Sequence, residues 1–208
     1  MAEQIRNKIL ILFAHPALHK SRINIELIKA VKEIDGVTFR DLYDEYPDFL
    51  IDVEREQESL LENDIIVLQH PFYWYGCPAI VKEWVDLVLE YGFAYGRGGD
   101  TLIGKKMMIA LATGSTEKDY QRDGMHYYSV REFLNPFEQT ATFCGMHYLP
   151  PFVVHGAIKL SLQDTAVYKS LYGQVIKALR DGEVDMTELE RFQYINDYFL
   201  EKYKSWSV

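Results

Sequence analysis

The chain has 208 residues, 48% of them hydrophobic, and its 31 acidic against 22 basic side chains give a net charge of −9. That length suits one domain with its own core, taken as residues 1–208, which needs no staples to fold. A negative surface repels phosphate backbones and excludes nucleic acid as the first partner, and no apolar run reaches the ~18 residues of a membrane span.

Cys77 and Cys144 form neither a CxxC pair nor a metal-ligand spacing, which fits a reducing cytosol. The opening MAEQIRNKILILFAH is too short in its apolar run for a signal peptide. The expectation is a soluble, cytoplasmic protein, able to sit at the inner face of the cell membrane by docking on a membrane protein.

The elements alternate along the chain. KILILFAH (8–15) is continuously apolar, as a strand buried on both faces must be. Ile23, Leu27, Ala30, Val31 and Ile34 recur at helical spacing over 22–34, and Gly36 ends that helix. VTFRDL (37–42) reads as a second strand and 52–63 as a short acidic helix. DIIVLQH (64–70) is a second continuous apolar run. Pro78 opens a helix whose apolar face holds Ile80, Val81, Trp84, Val85, Val88 and Leu89. KKMMIALATG (105–114) is a third run. A polar loop, a helix near 129–142, a fifth strand near 146–154 and helices near 163–180 and 186–203 follow. Such alternation implies βαβ units and a parallel sheet with helices on both faces. The fold class is α/β, a flavodoxin-like three-layer sandwich with a five-stranded parallel sheet in the order 2-1-3-4-5.

In that architecture ligands bind at the carboxyl ends of the strands, at the switch point between strands 1 and 3. Three loops fall there. The first, AHPALHKSRIN (14–24), offers Ser21 as a helix cap and free helix amides for a phosphate. It lacks GxxxxGK[ST] and GxGxxG, so no triphosphate or dinucleotide fingerprint is supported. His15 is either a hydrogen-bonded structural histidine or part of a phosphate cradle with Asn24. With His19 it makes no metal site, because no third ligand follows. The second loop packs Phe72, Tyr73, Trp74 and Tyr75 into one aromatic run between Pro71 and Gly76, a fixed bend. It is an aromatic corner under the next helix or a platform for a flat heterocycle. The third, ATGSTEKDYQRDGMH (112–126), lets backbone approach a ligand at Gly114 and carries Tyr120 and His126, or is simply a solvated loop. GFAYGRGGD (92–100) precedes a strand and reads as a bent, mobile connection.

HPFYWYGCPAIVKEWVDLVLEYGFAYGRGG resembles the NAD(P)H:quinone oxidoreductases of the flavodoxin-like superfamily. YPDFLID (46–52), WYGCPAIVK and YGFAYGRGG resemble especially the ancillary proteins of the glutathione-regulated potassium-efflux system, and the likeness runs from strand 1 to about residue 156. The resemblance implies a flavin-binding homodimer that reduces quinones by two electrons, as hydride, from NADH or NADPH in a ping-pong cycle. It would place the flavin phosphate side on His15, Ser21, Arg22, Ile23 and Asn24. The isoalloxazine would lie on Phe72, Tyr73, Trp74 and Tyr75 and on Ala112, Thr113, Gly114 and Ser115. Tyr120 and His126 match the family's quinone-contacting Tyr and His and would be catalytic. Ser115 departs from the family's second glycine, and the tail MTELERFQYINDYFLEKYKSWSV differs from the segment that helps hold adenosine, which favours FMN over FAD. The resemblance also implies a regulatory subunit that binds and activates a membrane potassium-efflux transporter. A one-electron flavodoxin-type carrier is the third class, and the Tyr120/His126 loop argues against it.

Overall fold

The computed structural model describes residues 6–202. At its centre lies β1 (Ile9–Phe13), with all five side chains buried. The other elements follow in chain order: α1 (Arg22–Val31), β2 (Val37–Asp41), α2 (Leu42–Glu45), α3 (Val53–Glu62), β3 (Ile65–Pro71), α4 (Ala79–Val88) and β4 (Lys106–Ala112). Then come α5 (Val130–Phe133), α6 (Asn135–Phe143), β5 (His147–Tyr148), β6 (Phe152–Val154), α7 (Leu162–Arg180), α8 (Met186–Leu189) and α9 (Ile195–Lys202).

All strands pair in parallel, in the order β2-β1-β3-β4, with β5 and β6 both on the outer edge of β4. This is the expected 2-1-3-4-5 order with its fifth strand in two pieces. Pro150 and Pro151 lie between them and have no N–H for the ladder. The helix expected near 129–142 is likewise two helices, with Leu134 between them and Pro136 in the first turn of the second. The tail expected as one helix is α8 and α9 joined by 190–194, and its last position, 203, lies outside the described residues.

Successive strand residues face opposite layers. Leu10, Leu12, Ile66, Leu68 and Ile109 pack with Trp84 of α4 on one face. Ile9, Ile11, Val67 and Met108 pack with Leu27 of α1 and Tyr172 of α7 on the other. Behind α4 lies a buried polar knot. Glu56, fully buried, accepts from the Arg40 guanidinium at 2.7 Å, from the Tyr46 hydroxyl at 2.6 Å and from the Trp84 indole at 2.8 Å. Arg40 also donates to Glu45 and Ser59, so its charge is matched although only 6% of it is exposed. The outer edge of β6 is closed by Asn196 of α9, whose side chain accepts from Val153 N at 2.9 Å and donates to Val153 O at 3.0 Å. Among the described residues no helix is long and apolar enough to cross a membrane.

Candidate functional site

A cleft of about 470 Å³ opens at the carboxyl end of the sheet, where β1, β3 and β4 end. One wall is the start of α1. Ser21 caps that helix, its Oγ accepting from Asn24 N at 3.3 Å and from Asn24 Nδ2 at 2.9 Å. The amides of Arg22 and Ile23, in the first turn, have no intrahelical acceptor and form the positive end of the helix. Asn24 is 2% exposed, and its Oδ1 is buried without a partner. Lys20 and Arg22 bring positive charge to the same wall. The Arg22 guanidinium also donates to Leu160 O, tying α1 to the loop after β6. His15 closes the floor. Its Nδ1 accepts from Ala17 N at 3.1 Å, and burial lowers its pKa. Its ring meets Tyr73 edge-on at 5.9 Å, so loop one and loop two touch.

The second wall comes from the end of β3. Phe72 N donates to Ala112 O at 2.9 Å and locks the two strand ends together. Phe72 is buried, and the chain then reverses in a tight turn, with Gly76 N donating to Tyr73 O at 3.0 Å. Both central residues, Trp74 at φ 47° and Tyr75 at φ 65°, are left-handed. Left-handed backbone costs about 1–2 kcal/mol per non-glycine residue, so this turn is strained. It leaves Trp74 95% exposed. Cys77, just beyond, is half-buried, and burial raises its thiol pKa, against thiolate chemistry.

The third wall is the segment after β4. Thr113 is fully buried; its N donates to Val154 O and its Oγ1 to Ser115 O at 2.7 Å. A Cβ on Gly114 would sit 3.1 Å from Ile158 Cδ1, so the missing side chain keeps the cleft open there. Further along, Tyr120 stacks on His126 at 4.2 Å. Tyr120 is 5% exposed, and burial pushes its hydroxyl pKa up to about 12. The His126 ring stands between two hydroxyls, Nδ1 at 3.3 Å from Tyr75 OH and Nε2 at 3.1 Å from Ser115 Oγ.

Of the residues expected to hold a cofactor, all line this cleft except Trp74, Tyr75 and Ser115, which flank it. Tyr120 and His126 are brought together beside them by ring contacts to Tyr75 and Phe72. The expected mobile connection 92–100 is bent, with Gly92, Gly96 and Gly98 at positive φ. A fourth wall, Ala157 and Ile158 after β6, escaped the sequence reading, as did Lys20. Their signal was available: 155–160 also follows a strand's carboxyl end. Ala157 N donates to Thr113 O and Gly156 N to Ser115 O, which clamps this loop onto the third. Among the described residues no group of three or more His, Cys, Asp or Glu is gathered as a metal ion would need.

Comparison with known proteins agrees with this architecture. Residues 7–175 match the family described as flavodoxin-like fold. The glutathione-regulated potassium-efflux system ancillary protein KefG of Enterobacter sp. (strain 638) is 44% identical over 80% of this chain and 91% of its own length. General stress protein 14 of Treponema denticola, solved in complex with FMN, is 39% identical, with a TM-score of 0.78 over 83% of this chain and 99% of that one. An NADPH-quinone reductase from P. pentosaceus is 33% identical, with a TM-score of 0.74 over 81% and 96%. The chain belongs to the flavodoxin-like fold family and, within it, to the family of the KefG ancillary proteins.

Proposed function

We propose that the chain is an FMN-dependent NAD(P)H:quinone oxidoreductase that works by a two-electron, ping-pong cycle. The observation that carries this reading is the convergence of a helix amino terminus, an aromatic turn and a glycine-opened backbone on one cleft of about 470 Å³. The donors suit a phosphate joined to a flat heterocycle. Unpaired amides, Lys20 and Arg22 stand at one end, and Phe72, Tyr73 and the Ala112–Gly114 backbone at the other. The FMN complex of general stress protein 14 and the quinone-reductase activity named for the P. pentosaceus relative support the same reading.

Bound FMN would supply the redox chemistry, taking a hydride from NADH or NADPH and passing it to a quinone. The chain's own residues hold and shield. Lys20, Arg22 and the first amides of α1 hold phosphate. Trp74 and Tyr75 wall the open side and keep water from the reacting face. Burial pushes the Tyr120 hydroxyl pKa up to about 12, so it keeps its proton at neutral pH, and it stands with the His126 ring stacked on it beside the place where negative charge develops on the quinone oxygen. A homodimer is the working assembly. The purified protein should be yellow and release FMN on denaturation. A colourless protein that takes up neither FMN nor FAD overturns the assignment, and intersecting double-reciprocal lines overturn the ping-pong order.

A second role is compatible with the first. The 44% identity to KefG across 91% of its length supports an ancillary subunit that docks on a potassium-efflux transporter at the inner face of the membrane. Reconstituted transporter vesicles should release potassium faster with the protein present. Equal rates would leave the enzyme role standing alone.

A further inference from the structure

We propose that Ser115, His126 and Tyr75 form one proton relay beside the cleft, with His126 acting through Ser115; the inference rests on the oxidoreductase reading. Both ring nitrogens of His126 are engaged, Nε2 by Ser115 Oγ at 3.1 Å and Nδ1 by Tyr75 OH at 3.3 Å. The ring is held between them. His126 N donates to Asp119 O at 2.9 Å, and the Tyr120 ring covers one face at 4.2 Å. Tyr75 is held too, stacked on Phe133 at 4.9 Å. His126 therefore does not present a free nitrogen to a ligand; a hydroxyl stands in front of each.

The two ends of the chain differ. Tyr75 is 46% exposed, so its hydroxyl meets water. Ser115 follows Gly114, which lines the cleft, and among the described residues no other group bonds the Ser115 hydroxyl. A neutral imidazole carries one N–H, so one hydroxyl donates to it and the other accepts from it. With Nε2–H donating to Ser115 and Tyr75 donating to Nδ1, every proton points toward the cleft. Delivery then runs one way. Ser115 gives its proton to the ligand oxyanion, Nε2–H passes to Ser115, the Tyr75 proton passes to Nδ1, and water reprotonates Tyr75. The ring, left as the Nδ1–H tautomer, returns to Nε2–H by proton exchange with water before the next delivery. One proton leaves solvent and one O–H bond forms on the ligand, so charge and atoms balance. The titratable groups facing His126 are Tyr75 from the turn, and Tyr120 and Asp119 from its own loop; Asp119 Oδ2 is already bonded by Thr116.

Histidine nitrogen NMR on the ligand-free protein tests the bonds directly. Wild type should show His126 mainly as the Nε2–H tautomer. Ser115→Ala should shift it toward Nδ1–H. Tyr75→Phe, which keeps the ring on Phe133, should move the Nδ1 resonance and leave the tautomer. Identical His126 resonances in all three proteins overturn the relay. In flavin-loaded protein each substitution should lower kcat about 10-fold with quinone KM within about twofold, and the double variant should fall no further. Losses that multiply would also overturn it. Should the protein take up no flavin, the oxidoreductase reading fails while the NMR result still decides the bonds.

Discussion

Trp74 and Trp84 are ten positions apart and have opposite fates. Trp84 is 2% exposed, on the inner face of α4, with its indole N–H on a buried carboxylate. Trp74 is 95% exposed on a turn whose backbone is left-handed at two consecutive aromatic residues. One ring is held by a helix that has no reason to bend, and the other by a bend that stability alone does not favour. The contrast separates what holds the fold from what the fold holds out, and four measurements press on it.

The largest effect belongs to the buried side. Glu56→Ala would leave the buried Arg40 guanidinium with Glu45 as its one carboxylate and take the acceptor from the Tyr46 hydroxyl and the Trp84 indole. The raised pKa of Arg40 reflects Glu45, Glu56 and Tyr46 outweighing its burial. Breaking one side of a buried pair costs about 3–5 kcal/mol, to be read from denaturant unfolding. Acid comes next and acts at the strand ends near the site. Burial pushes the pKa of His70 and of His155 down to about 4, below their ordinary 6.5. The unfolded chain therefore binds more protons below pH 6.5, so their stability is complete above pH 6.5 and lost toward pH 4. Asp41, raised to about 6 by burial and by Asp44, opposes this between pH 6 and 4. For these three groups two losses against one gain leave about 1.4 kcal/mol lost per pH unit at the steepest, and His15, also lowered by burial, adds to the loss. His70→Phe should flatten the slope.

Trp84→Phe keeps an aromatic side chain but removes the pyrrole ring with its N–H, leaving one oxygen of Glu56 without its donor and a small void in the core, a loss of about 2 kcal/mol or more. Trp74→Gly should move stability the other way. Relief of the left-handed strain would raise stability by up to about 1 kcal/mol, while flavin titration should show weaker retention. A variant both more stable and equally tight would remove Trp74 from the site.

The fold was largely legible because its centre is written in period and polarity. β1, β3 and β4 are apolar at nearly every position, and only a sheet covered on both faces accommodates that. Pro150, Pro151 and Pro136 were in view as breakers, yet their apolar flanks read as continuous elements. The three site loops were legible from topology, whereas Ala157 and Ile158 carry no chemical signature beyond following a strand's carboxyl end, and their loop is clamped to the cleft by backbone bonds from Gly156 N to Ser115 O and from Ala157 N to Thr113 O. The 52–63 segment read as a short acidic helix. That Glu56 within it is the most buried acid of the knot depends on partners at 40, 46 and 84, and no local pattern encodes such a meeting.

Asn196 carries a consequence of another kind. Its carboxamide bonds the N–H and the C=O of Val153 as a neighbouring peptide would, so it stands in for a missing strand. An open sheet edge is a template on which other chains add. The broken fifth strand and this one side chain leave little edge to copy. Asn196→Leu would thus endanger colloidal behaviour before architecture: a chain still folded at low concentration, and assembling edge to edge as concentration rises.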